Sequence, residues 1–400
     1  MSPVRRRRLL FAALYFSEGA PIGWLWWTLP SQLRRAGIAV DDITALTAAL
    51  ALPWALKFVW APLVDIVQTR WFGLRGWLVA AQLGMVATLL PMLTLDPVAH
   101  FEALFGLLLA HAFCAATQDV AIDALAIRTV PAAERGTLNG AMQAGMIGGR
   151  VLFSSGVLYL AATTGERLAV PLLLAVLAGT LVLIAGVKVV PRHASAPPHP
   201  GRRPRYLRAL LRTGRCWRLL AFALLAGAGF EAAGSLSGSW LVDRGFHDEG
   251  IATFRLVSAG LMATGALLGG RSADARGARP TCRRWLFALA ALIGATAAVD
   301  VGAAHTLAVA LYAGIYFAIG AFTAASYALF MQHAAGPLAA TVFSAFMGLT
   351  NACEAWAGRI GGHLQAAHGY GLALVVLAAL SLPAALALRG AAWGARNRRR

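Results

Sequence analysis

The chain is a succession of long apolar runs separated by short polar segments, most of them basic. A bilayer crossing needs about 20 mostly apolar residues in helical conformation. Twelve stretches meet that length, at 9–29, 43–64, 77–95, 102–124, 137–160, 168–190, 217–241, 252–270, 285–301, 305–330, 339–363 and 371–388. Polar residues interrupt the second, fourth and eleventh. The pattern predicts an all-α membrane protein with twelve transmembrane helices. The polar segment 191–215 stands out, and its Pro197, Pro198, Pro200 and Pro204 rule out a regular helix in its first half. It divides the chain into a six-helix bundle at 1–190, a basic Pro/Arg-rich linker at 191–215, and a second six-helix bundle with a basic tail at 216–400.

Composition agrees with the pattern. Hydrophobic residues make up 59% of the 400 and charged residues 13%, with a mean hydropathy of +0.66. Ordinary globular chains hold about 45–50% and about 25%. So much apolar surface with so little charge excludes a water-soluble fold.

The net charge of +18 would suggest nucleic acid if the basic residues formed one soluble stripe. Their placement points elsewhere. With the N-terminus taken as cytoplasmic, 27 of the 35 Lys and Arg fall in cytoplasmic segments. Five, Arg34, Arg35, Arg167, Arg244 and Arg255, fall outside, and Lys57, Arg150 and Arg359 lie within spans. This is the positive-inside asymmetry, and it puts both termini in the cytoplasm. The basic excess then faces anionic lipid headgroups, with no role for nucleic acid. Arg5–Arg8 before an apolar run resembles a signal peptide. Glu18, Trp24, Trp26 and Trp27 within the run, and the absence of a small-residue cleavage pattern, make it the first helix.

The two halves look related. Asp65 and Asp274 each end an even-numbered span and precede Arg and Gly in a tight loop, 209 residues apart. Gly149–Arg150 and Gly358–Arg359 are separated by the same 209 residues. Parallel halves with a site between them at mid-membrane are a transporter architecture.

At these residues the chain resembles a known family. The G-x-x-x-D-x-x-G-x-R loop at Gly270–Arg279 is similar to the cytoplasmic signature of the major facilitator superfamily. Within it, LPWALKFVWAPLVD (52–65), TQDVAIDALAI (117–127) and LYFSEGAPIGWLWWTLPSQLRRAGI (14–38) resemble the AmpG-type muropeptide permeases and the related RhtX/FptX-type siderophore permeases. Ala61 stands where the signature carries Gly, and AmpG permeases of the longer type carry two further spans. The resemblance implies the superfamily fold and a secondary transporter of the bacterial inner membrane. It further implies proton-driven import of a large polar solute, a muropeptide or alternatively an iron chelate.

Ionisable groups within a span are costly and therefore candidates for function. They are Glu18, Lys57, Asp119, Asp123, Arg150, Glu231, Glu354 and Arg359. In the resembled fold, spans one and five are neighbours, as are seven and eleven. This implies the pairs Glu18–Arg150 and Glu231–Arg359, with carboxylates that exchange protons and arginines that hold a substrate carboxylate. Asp119 and Asp123, four residues apart, share a helix face and repel, which suits a proton relay. Lys57 is expected to snorkel and is given no substrate role. Tyr15, Gln118, Gln143, Tyr312, Tyr316, Tyr327, Asn351 and Trp356 are expected to line the cavity with Arg150 and Arg359. Asp65, Arg70, Arg75, Asp274, Arg276 and Arg279 look like a cytoplasmic gate of ion pairs between the halves.

Other chemistry has no signal. There is no G-x-x-x-x-G-K-[ST] phosphate loop, no nucleophile with its base, no histidine cluster, and the four cysteines are scattered. The reading is a monomeric carrier and not an enzyme, with no metal or cofactor and the proton gradient as driving force.

Overall fold

The computed structural model describes residues 2–69, 72–157, 159–160, 168–186, 202–300 and 305–388. Its regular elements are helices. In chain order they are α1 Pro3–Gly23, α2 Leu29–Arg35, α3 Val40–Leu56, α4 Ala61–Ile66, α5 Leu74–Leu89, α6 Phe101–Thr129, α7 Arg135–Val151 and α8 Ala169–Gly186. Then come α9 Arg202–Leu211, α10 Gly214–Leu225, α11 Ala228–Val242, α12 Asp248–Arg276, α13 Ala278–Asp300, α14 His305–Ala334, α15 Ala339–Ser381 and α16 Ala384–Ala387.

Nine helical stretches among the described residues are long and apolar enough to cross a bilayer. One of them, Ala339–Ala387, holds two expected spans, because Gly369 at φ 81° interrupts the helix there. The first and fifth expected spans are helical as well, α1 to α2 and α7 to Gly156, and are more polar. The helices therefore match the twelve expected crossings. Residues 191–201 of the expected linker lie outside the described residues, and α9 follows them with Pro204 in its first turn.

Breaks in the helices follow from sequence. Pro62 at the start of α4 withholds the N–H that would bond the carbonyl one turn earlier. The chain tightens there into a 3₁₀ turn at Lys57–Val59. Two π turns, Trp24–Thr28 after Pro21 and Leu152–Gly156, widen the first and fifth spans. They meet: Thr28 Oγ1 donates to the carbonyls of Phe153 (2.8 Å) and Ser154 (3.0 Å). Below this junction Gly19 and Gly149 bring the backbones of α1 and α7 together, with no room for a Cβ on either. These two spans are the neighbours expected. So are α11 and the part of α15 before Gly369, where Gly361 packs on Ala232 and Leu236, while Gly229 N–H donates to Ser381 Oγ (2.8 Å) in the twelfth span.

Candidate functional site

The N-terminal half buries a charge cluster at mid-span. The 3₁₀ turn before Pro62 rotates Lys57 inward, and its side chain is 2% exposed. Its ammonium forms an ion pair with Asp119 on α6. Asp123, one turn further, accepts from the Tyr15 hydroxyl (2.6 Å), and Gln118 Nε2 donates to Ser17 Oγ (3.3 Å). Glu18, on the same helix as Tyr15 and Ser17, is buried, and its Oε2 has no hydrogen-bond partner among the described residues. Three carboxyl groups thus share one buried ammonium, with Arg150 in electrostatic range of Glu18. No Glu18–Arg150 ion pair closes in this state. Lys57 corrects the snorkelling expectation. It lies too deep, and its partner, 62 residues away, holds it inward.

In the C-terminal half the pair Glu231–Arg359 does not form. Cys353, Ala357 and Gly361 make the buried stripe of α15. Arg359 comes two residues after Ala357, about half a turn away, and is exposed, as is Glu354. The charged neighbours of Glu231 are Glu354 and, from the other half, Arg150. The exposed guanidinium of Arg150 therefore lies in the space between the bundles, within range of both Glu18 and Glu231. Tyr327 shares that space, in range of Asp119, Asp123, Glu231 and Arg150.

Other expected cavity residues are used differently. Tyr312 is fully buried, its ring centroid 4.9 Å from that of Trp240, and its hydroxyl donates to the Ala233 carbonyl. It belongs to the core of the C-terminal half because α14 turns it towards α11 and away from the cleft. Tyr316 donates to Ser237 Oγ (3.1 Å) on the same seam. Trp356 Nε1 donates to the Leu224 carbonyl (3.1 Å) and packs on Ala228, Cys353 and Ala357. Asn351 Nδ2 donates to the Trp54 carbonyl (3.3 Å) and so ties the halves together. Gln143 is buried.

The halves are latched on the face that carries the N-terminus, the face on which Arg7 and Glu134 of the N-terminal half pair with each other at 2.6 Å. Asp65 accepts from the backbone N–H of Ala340 (3.2 Å) and Thr341 (2.8 Å) and from Thr341 Oγ1 (2.8 Å), at the start of α15. Arg128 braces it from its own half at 2.9 Å. Asp274 repeats the arrangement on α7, accepting from the N–H groups of Gly136 and Thr137, both 2.7 Å, and from Thr137 Oγ1. Each carboxylate caps a helix of the opposite half, where the amides are unpaired and the dipole favours an anion. Arg135 adds a bond from Nη1 to the Met331 carbonyl (2.9 Å). These contacts replace the expected ion pairs. Arg75 donates to the Ala185 carbonyl (3.0 Å), Arg276 to Ser272 Oγ (3.4 Å) and Arg279 to the Leu388 carbonyl, each within its own half. Arg70 lies outside the described residues.

The description Major Facilitator Superfamily fits residues 9–362. The chain belongs to the Major Facilitator Superfamily. Like other members of the superfamily, it is a multi-pass membrane transporter. It is 26% identical over 400 residues to the anhydromuropeptide permease of Escherichia coli K12, covering 96% of this chain and 79% of that one. A putative transporter AmpG 4 of Rickettsia felis is 30% identical over 154 residues, 38% of this chain and 37% of the relative. Among solved structures, the human organic anion transporter MFSD10 superposes with a TM-score of 0.76 at 17% identity, over 97% of this chain and all of that one. The Escherichia coli fucose:proton symporter gives 0.76 at 12% identity, over 96% and 97%. At such identities the two structures establish the superfamily fold alone.

Proposed function

We propose that this superfamily member is a proton-coupled importer of a large, polar, carboxylate-bearing solute of the anhydromuropeptide class. It would act in the bacterial inner membrane with both termini cytoplasmic, through two bundles at 1–190 and 216–400. The likeness to the Escherichia coli anhydromuropeptide permease along nearly the whole chain supports the substrate class. One observation carries the coupling: the partnerless Oε2 of buried Glu18 beside the Lys57–Asp119 pair. A carboxyl group so placed takes up or releases a proton when the cleft alternates, because burial makes its charge costly. Arg150, free at the cleft between two acids, is the group to hold the substrate carboxylate bidentately.

Proteoliposomes test this. Uptake of a radiolabelled anhydromuropeptide is expected to follow an imposed inward proton gradient and to stop with a protonophore. Glu18→Gln is expected to abolish accumulation while leaving exchange of internal for external solute. Accumulation that ignores the gradient would remove the coupling. Uptake of a ferric siderophore with none of muropeptide would replace the substrate class.

A further inference from the structure

A second chemical environment lies across the cleft from Arg150. Between α10, α11, α14 and α15 is a small cavity of about 50 Å³. Five aromatic residues, Phe222, Phe230, Phe322, Tyr327 and Phe330, line it together with Glu231 and small residues. Phe322 anchors the wall, its centroid 5.9 Å from that of Phe222 and 5.5 Å from that of Phe230. Four hydroxyl residues line the cavity, Thr323, Ser326, Tyr327 and Thr350, and two of them bond to backbone carbonyls. Ser326 Oγ donates to the Thr323 carbonyl (3.0 Å) and Thr350 Oγ1 to that of Met347 (2.8 Å). No lysine, arginine or amide side chain lines it.

The lining is therefore rich in aromatic rings and holds one carboxylate, Glu231, that has no hydrogen-bond donor or ion-pair partner among the described residues. Such a cage attracts a cation, which gains from the aromatic quadrupoles and from the carboxylate together. A neutral saccharide, which needs many donors and acceptors at once, would meet mostly rings and small apolar side chains there.

We propose that this cavity is an ammonium subsite, taking an amine or quaternary ammonium group of the solute while Arg150 takes its carboxylate, so that the transporter selects zwitterions. The inference rests on the transport reading above and deepens it. Cys353, which lines the cavity, is a native reporter.

The full chain in lipid nanodiscs would be treated with methanethiosulfonates of similar size carrying a trimethylammonium, a neutral or a sulfonate group. Modification at Cys353 would be followed by peptide mass spectrometry, with each rate divided by that for free cysteine. The cationic reagent is expected to exceed the anionic one by about tenfold or more. Tetramethylammonium is expected to slow it, and N-acetylglucosamine to have no effect. Glu231→Gln should bring the normalised rates together. Equal rates in the native chain, protection by the saccharide in place of the cation, or no modification at all would overturn the proposal. Labelling requires no transport, so this outcome and that of the uptake experiment are independent.

Discussion

Asp65 stands to Thr341 as Asp274 stands to Thr137: each aspartate receives the hydroxyl and the backbone N–H of a threonine that opens a helix in the opposite half. The sequence repeat thus becomes a repeat of contacts, and both contacts close the same face. Neutralising either aspartate should loosen that face. For Asp65→Asn and Asp274→Asn the lost charge-assisted bonds amount to about 2 kcal/mol, or a population shift of about thirtyfold. Pulsed electron–electron resonance between spin labels at positions 72 and 337 should report longer distances. Unchanged distances in both variants would mean that the aspartates only cap.

Gly136 and Gly270 touch through their backbones, and a Cβ on either would land on the other's carbonyl. Gly270→Ala should therefore disfavour the latched state by about 1–3 kcal/mol through overpacking. The same spin-label pair should shift outward, with helix content by circular dichroism unchanged.

Lys57 and Asp119 are each nearly inaccessible and paired. Removing one partner strands a charge, at about 3–5 kcal/mol. Lys57→Met and Asp119→Asn should each lower the melting temperature in detergent. Combining Lys57→Met with Asp119→Leu should restore most of it. Full stability in both single variants would argue against an ionised pair.

Arg150 and Arg359 are equivalent in the repeat and different in place. Arg150→Gln should lose concentrative uptake, and Arg150→Lys should weaken apparent substrate affinity because the bidentate fork is gone. Arg359→Gln, altered on an exposed face away from Glu231, should leave uptake within about twofold, as surface changes generally do. Equal defects in both would restore the symmetric pairing.

Much of the fold was legible because a bilayer imposes a length on each apolar run, and because the repeat left matching residues at one offset. The two latch aspartates were visible for the same reason. Their partners were not, since a main-chain N–H carries no residue type; only Thr137 and Thr341, polar residues at helix starts, left a trace. The position of Lys57 depends on a 3₁₀ turn ahead of Pro62 and on an aspartate brought close by folding, which no local pattern encodes. The exposure of Arg359 was readable from the small residues at 353, 357 and 361, which place the buried stripe on another side of that helix. The aromatic lining around Glu231 assembles from four helices, so its residues lie scattered from Phe222 to Cys353.

Gly369 alone connects the last two spans. With no spare chain between them, these crossings form a stiff hairpin whose arms cannot slide past one another. When the latch at Thr341 opens, the twelfth crossing must be carried along with the eleventh.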